Sequence, residues 1–151
     1  MANLRPPVLD DYGLVAALKW YGDLLASRAD FSIMVRGEEP VPRLNPPLEN
    51  ALFRIIQEAL TNVVKHAQAT QVTVTVEADD ETVRLVIADD GIGFEAAHST
   101  QIGARQSWGL LTMTERAEAV GGRCWIESVP GGGARVIAKV PRGTVGAPST
   151  G

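Results

Sequence analysis

A two-layer α/β sandwich is the fold class this sequence predicts, with a mixed, mostly antiparallel five-stranded sheet packed against three helices. Three observations predict it. Apolar residues recur at helical spacing in three separate stretches. The strand-like runs include adjacent pairs joined by short turns, so hairpins replace strict strand–helix–strand alternation. The 151 residues, 45% apolar and 21% charged, suit one globular domain of ordinary size with a single core.

The elements follow in chain order. Residues 1–9 form a leader containing Pro6-Pro7, and residues 10–141 the folded body. Leu14, Leu18, Tyr21 and Leu25 place one amphipathic helix over 10–29, opened by Asp10 and Asp11 where acidic side chains suit free backbone N–H groups. Phe31–Val35 reads as a short strand, and the proline-bearing stretch 37–47 as a loop. Leu52, Ile55, Ile56, Ala59, Leu60, Val63 and Val64 make the clearest apolar stripe, a helix over 48–67. Val72, Val74 and Val76 then alternate with polar residues, Asp79-Asp80 turns the chain, and Val83–Ala88 returns, which predicts an antiparallel hairpin. Residues 89–109 lack apolar periodicity and read as one long loop. A third helix is expected from about Leu110, with Thr112 as its N-cap and Gly121-Gly122 as its stop. Trp125–Val129 and Arg135–Val140 complete the sheet, and the Gly-, Pro-, Ser- and Thr-rich tail 142–151 is expected to be disordered.

Composition excludes several chemistries. A single Cys124 allows no internal disulfide and no multi-cysteine zinc site, and His66 and His98 are too few for a histidine-rich metal centre. The net charge of -4 argues against a dedicated nucleic-acid binder. No apolar run reaches membrane-spanning length and no signal-peptide pattern opens the chain, which points to a cytoplasmic domain without membrane contact.

Two segments carry candidate chemistry. Glu58, Asn62 and His66 lie at four-residue spacing on one helix face, with Lys65 beside them. A solvated face is the plain reading. The alternative is a hydrated magnesium ion carrying phosphates, since Mg²⁺ needs only one or two side-chain oxygens and keeps several waters. Asp89-Asp90-Gly91-Ile92-Gly93-Phe94 follows a buried strand. It is either an Asp-Gly turn or a loop where a ring approaches the backbone and a carboxylate accepts from an exocyclic amino group. The start of the third helix, Gly109-Leu110-Leu111-Thr112, is an ordinary cap or a phosphate site built on free N–H groups.

Together these segments resemble the ATPase domain of histidine kinases. Glu58–Ala67 is similar to its N box, Asp89–Phe94 to its G1 box and Gly109–Ala117 to its G2 region, and the pattern GLxxMxER, with Gly121-Gly122 and Ile126-Glu127-Ser128 after it, resembles bacterial sensor kinases of the nitrate-sensor and membrane-fluidity-sensor class. The resemblance implies the Bergerat ATP-binding fold and ATP with Mg²⁺ as ligands. It implies Mg²⁺ on Asn62, with Glu58 close to the metal and acting on a water or the acceptor. It implies Asp89 on the adenine amino group, Gly91 and Gly93 shaping the pocket, Lys65 and His66 facing phosphate or ribose, residues 95–108 as a lid, and Gly109, Leu110, Leu111 and Thr112 around the phosphates. Thr112 and Ala134 depart from the family pattern, in which Gly or Asn and Thr are common. Neither is a principal ligand.

A kinase of this type phosphorylates a histidine on dimerisation helices, and neither His66 nor His98 has that context. The chain is therefore expected to be the catalytic piece of a larger kinase. Its implied partners are the parent's dimerisation domain and a response regulator downstream. The piece is expected to be monomeric and its parent a homodimer that could be membrane-anchored. A nucleotide-binding regulatory module and a serine kinase of the anti-sigma-factor type are the alternatives on the same fold.

Overall fold

The computed structural model describes residues 7–28, 32–64, 70–91, 101–128 and 133–142. Among them are four helices and five strands. The helices are α1 (Pro7–Tyr12), α2 (Leu14–Ala26), α3 (Pro46–Asn62) and α4 (Gln101–Ala119). The strands are β1 (Ser32–Arg36), β2 (Gln71–Ala78), β3 (Thr82–Asp89), β4 (Arg123–Ser128) and β5 (Ala134–Pro141), in sheet order β1-β2-β3-β5-β4.

Among the described strands the β1–β2 pair alone is parallel, and the other three pairs are antiparallel. Val72, Val74 and Val76 of β2 and Val83, Leu85 and Ile87 of β3 point to the helical layer and are almost fully buried. Their neighbours Thr73, Thr75 and Arg84 lie on the opposite face, as the two-residue period of a half-buried strand requires. Asp79 makes the hairpin turn, its carboxylate accepting from the N–H groups of Glu81 at 2.8 Å and Thr82 at 2.7 Å.

The helices cover the inner face. Leu52, Phe53, Ile55, Ile56 and Leu60 of α3 are essentially inaccessible, and each such burial contributes about 1.5–3 kcal/mol. Tyr21 of α2 meets Phe53 edge-on at 5.8 Å between centroids. Asn45 caps α3, accepting from Leu48 N–H at 2.9 Å, with Pro46 at the first helical position where no N–H is missed. Arg43 pairs with the buried Glu49 at 2.9 Å and donates to the Leu9 carbonyl, which ties the 37–45 loop to α1 and α3.

Three expectations change. The single helix over 10–29 is two helices, broken at Gly13, whose φ of 102° ends one turn and begins another. Asp10 and Asp11 consequently belong to α1, and Glu39 supplies the acidic cap of α2, accepting from Ala16 N–H at 2.8 Å. The third helix starts at Gln101, so Thr112 is mid-helix and is not its N-cap, and 101–108 is helical rather than loop. Its end does fall at Gly121-Gly122, where Gly122 N–H bonds Ala117 O at 2.8 Å and Gly121 N–H bonds Glu118 O at 3.0 Å. The stripe expected to run to 67 is α-helical to Asn62 and turns to a wider π turn at Val63 and Val64, and residues 65–67 lie outside the described residues.

Candidate functional site

Asp89 ends β3 opposite Ala134, the first residue of β5. Its carboxylate accepts from Gly91 N–H at 2.8 Å and from the Ala134 N–H. Partial burial pushes the Asp89 carboxyl up from its ordinary value, the two N–H donors pull it back, and the neighbouring Asp90 charge pushes it up again. A half-buried acceptor held in one orientation by backbone donors is suited to reading an amino group on a flat ring.

Asp90 was not singled out in the sequence. Its carboxylate accepts from Thr70 N–H at 2.8 Å, Thr70 hydroxyl at 2.7 Å and Gln71 N–H at 3.0 Å. These bonds hold its own pKa down and fasten the end of β3 to the beginning of β2. Gly133 is a second residue the sequence reading passed over. Its φ is 89°, and a side chain there would run into the Asp89 carbonyl. The Asp-Asp doublet and the glycine run before β5 were the available signals, but only the register of β3 with β5 joins them.

Glu58 and Asn62 stand one turn apart on the polar side of α3. Gly109 of α4 comes against both. A Cβ on it would lie 2.7 Å from Asn62 Nδ2 and 2.9 Å from Glu58 Oε2. The structure thus brings Glu58, Asn62 and Gly109 together. It does so through a helix–helix contact, and the expected free N–H groups over 109–112 are absent because those residues lie well inside α4. Leu110 is partly buried against the core, Leu111 is 48% exposed and Thr112 is half-buried. Gly91 is buried beside Asp89, whereas Lys65, His66 and Gly93 lie outside the described residues. Tyr21 is a further neighbour. Its hydroxyl bonds Thr61 and feels the Glu58 charge, and burial raises its pKa above the ordinary value.

The oxygens of Asn62 and Glu58 are donors a hard divalent cation accepts. Among the described residues no group of three or more His, Cys, Asp or Glu could hold a metal by itself. An ion here would draw most of its ligands from phosphate and water, which fits magnesium. Cys124 takes no part: it is buried on β4 and its thiol is pushed up to about 11, so it stays protonated. No described helix is long and apolar enough to cross a membrane.

Comparison with known proteins bears on the family and the fold. Residues 48–144 match the family described as histidine kinase-, DNA gyrase B- and HSP90-like ATPase. A sensor-like histidine kinase of Chloroflexus aurantiacus is 41% identical over 92% of the chain, and the signal transduction histidine-protein kinase/phosphatase DegS of Bacillus subtilis is 37% identical over 91%. The chain spans only 24% and 36% of those two relatives. The ATP-binding domain of PrrB from Mycobacterium tuberculosis superposes with a TM-score of 0.67 at 25% identity, over 86% of this chain and 94% of that one.

Proposed function

The chain belongs to the histidine kinase-, DNA gyrase B- and HSP90-like ATPase family, as an ATP-binding domain of the sensor histidine kinase type, and from that premise we propose how its residues bind and present the nucleotide. Asp89 takes the adenine amino group, and Gly91 and Gly93 give the ring access to the backbone. Asn62 holds magnesium, with Glu58 one turn away as a second, direct or water-bridged, oxygen. Lys65 and His66 follow on the same segment and face phosphate or ribose. Gly109 brings α4 against Asn62 and Glu58, and Gly109, Leu110, Leu111 and Thr112 border the phosphates once α4 gives way there. The Asp89 carboxylate, oriented by the Gly91 and Ala134 N–H groups, is the observation that carries this reading.

Magnesium bound at Asn62 would neutralise phosphate charge. The chain's own residues orient the donor: Asp89 fixes the base, Asn62 and Glu58 fix the phosphate end, and Glu58 polarises the acceptor or a water. Transfer then depends on an acceptor histidine held in line. We assign that histidine to a dimerisation domain of a longer parent, with a response regulator as the next recipient and a cytoplasmic setting for this domain. The ATP-binding body is assigned to 10–141, between the leader 1–9 and the tail 142–151, with Leu9 of the leader packed into its core and Arg142 of the tail bonded to the Asp79 and Pro42 carbonyls.

The test is calorimetry of ATP binding with and without Mg²⁺. Asn62→Leu is expected to keep the fold and the adenine contact but to lose most of the Mg²⁺-dependent gain in affinity. An undiminished Mg²⁺ effect in Asn62→Leu would overturn the metal assignment.

A further inference from the structure

The face of the sheet turned away from the helices carries an arrangement that folding alone does not favour. Arg84 of β3 lies opposite Lys139 of β5, and Lys139 lies opposite Arg123 of β4. Three cations therefore stand side by side across three adjacent strands. Like charges directly opposite one another in a sheet are destabilising. Compensation comes from surface carboxylates alone: Arg84 reaches Glu77 at 3.5 Å and has Glu127 within electrostatic reach, and Lys139 has Asp79 within reach at the hairpin end, all contacts of small worth. The chain as a whole carries a net charge of -4, so this row is a local reversal of its sign.

The next row is apolar and aromatic. Val86, Ile137 and Trp125 are register partners across the same three strands, and Ile137 is fully buried although it lies on the outer face. Arg123 sits 5.4 Å from the Trp125 ring centroid, and the Trp125 indole N–H donates to Glu127 at 3.3 Å. Both contacts hold the ring down on the sheet. A tryptophan with arginines around it, on an apolar floor, is the composition of a protein-binding hot spot.

We propose that the outer face of β3–β5–β4, centred on Arg84, Lys139, Arg123 and Trp125, docks an acidic surface of another protein. Trp125 is only partly exposed and is already engaged by Arg123 and Glu127, which leaves little of the ring to insert into a lipid interface. The carboxylates of Glu77 and Glu127 at the margins of the patch suit a partner of mixed charge better than a uniformly charged polyphosphate. Three strands at about 4.8 Å spacing give a patch of a few hundred Å², below the roughly 800 Å² per partner of a stable complex. The interaction is accordingly transient and salt-sensitive.

The test uses the 151-residue chain and a fluorescein-labelled peptide of net negative charge, rich in Glu with interspersed Lys, read by anisotropy at low and physiological salt. Amide NMR shifts locate the contact. Binding that weakens with salt, with shifts at residues 84, 123, 125 and 139, is expected. Lys139→Glu should weaken it roughly tenfold or more, while Lys19→Glu on α2 leaves it unchanged. Neither change should alter ATP affinity. Lys139→Glu should also raise the denaturation midpoint, because it relieves the like-charge row, so loss of binding cannot be ascribed to unfolding. Equal loss in Lys19→Glu, or shifts elsewhere on the molecule, would overturn the proposal. Three further outcomes would also overturn it by replacing the partner: Lys139-dependent capture by phosphatidylglycerol vesicles without peptide binding, the same pattern with duplex DNA, or a Lys139-dependent dimer in sedimentation velocity.

Discussion

Asp89 and Asp90 are adjacent carboxylates with opposite electrostatics, and the difference is local. Asp89 is half-buried and its pKa is raised, so the folded chain holds that proton more readily than the unfolded one. Its contribution to stability is therefore most favourable at low pH. It declines as pH rises from the ordinary carboxylate range through the raised value. Asp90 accepts three hydrogen bonds and its pKa is lowered. Its contribution is present above the ordinary carboxylate range and is lost as pH falls through the lowered value. Asp89→Asn removes the burial penalty and keeps an oxygen for Gly91 N–H, so thermal denaturation at neutral pH should show an unchanged or higher midpoint. The amide also presents a donor toward the adenine amino group. Losing that charged hydrogen bond costs about 1.5–3 kcal/mol, roughly a 10- to 150-fold weaker affinity for ATP by calorimetry. Retained affinity with a stable fold would place adenine elsewhere. Asp90→Ala should do the reverse to stability, lowering the midpoint at neutral pH, with the deficit against the parent chain shrinking in acid as Asp90 of the parent chain protonates.

Helix α4 shows how a secondary element can be shaped by its neighbour. Gly103 and Gly109 each cost about 1 kcal/mol of helix propensity relative to Ala, so the segment from Gln101 to Gly109 is a weak helix by itself. Packing of α4 on α3 opposes that cost, and Gly109 is the point of closest approach to Glu58 and Asn62. Gly109→Ala gains helix propensity but places a methyl group 2.7 Å from Asn62 Nδ2. Overpacking costs about 1–3 kcal/mol, so the clash offsets or exceeds the gain. Stability should change little or fall, while Mg²⁺-dependent ATP affinity drops clearly. Hydrogen exchange tests the same contact in the parent chain. If magnesium and phosphate engage Asn62 and Glu58, Gly109 must give way. Amides over 101–109 should then exchange faster with saturating Mg²⁺-ATP, and those over 113–119 should hold their protection. Identical exchange in both states would show that α4 does not respond to the nucleotide.

Across the whole molecule, one core joins the helices to the inner face of the sheet, and the candidate site residues Asp89 and Asn62 are the last residues of β3 and α3. Phe53 is 1% exposed and meets Tyr21 of α2, so Phe53→Ala should cost about 3–5 kcal/mol in a denaturant titration. The candidate nucleotide site should weaken with it, because α3 carries Glu58 and Asn62. The second prediction at this scale concerns chemistry. Positioning of donor and acceptor is worth about 7–11 kcal/mol of a reaction barrier. The 151 residues contain only His66, on the proposed nucleotide face, and His98. Labelled ATP should therefore bind without forming acid-labile phosphohistidine, and a separately made dimerisation domain of the parent should restore transfer. Stoichiometric labelling of His66 or His98 would contradict this.

Elements whose signal is local and periodic are legible in the sequence alone. The alternating valines of β2, the stripe from Leu52 to Leu60, the Asp79 turn and the Gly121-Gly122 stop all appear where their side chains require, because period and turn chemistry act within a few residues. The Glu58–Asn62 spacing was legible for the same reason. Tertiary structure decided what depends on distant chain. Glu39, twenty-three residues beyond Ala16, caps α2 and lets Gly13 split a helix that reads as continuous. Thr112 and Glu115 have capping-box spacing, yet packing on α3 carries α4 eleven residues further back to Gln101. Ala134 looks in sequence like a lost hydroxyl, and the β3–β5 register makes its backbone N–H a support for Asp89. The row Arg84–Lys139–Arg123 is invisible in the chain, because strand pairing alone brings residues 84, 123 and 139 abreast.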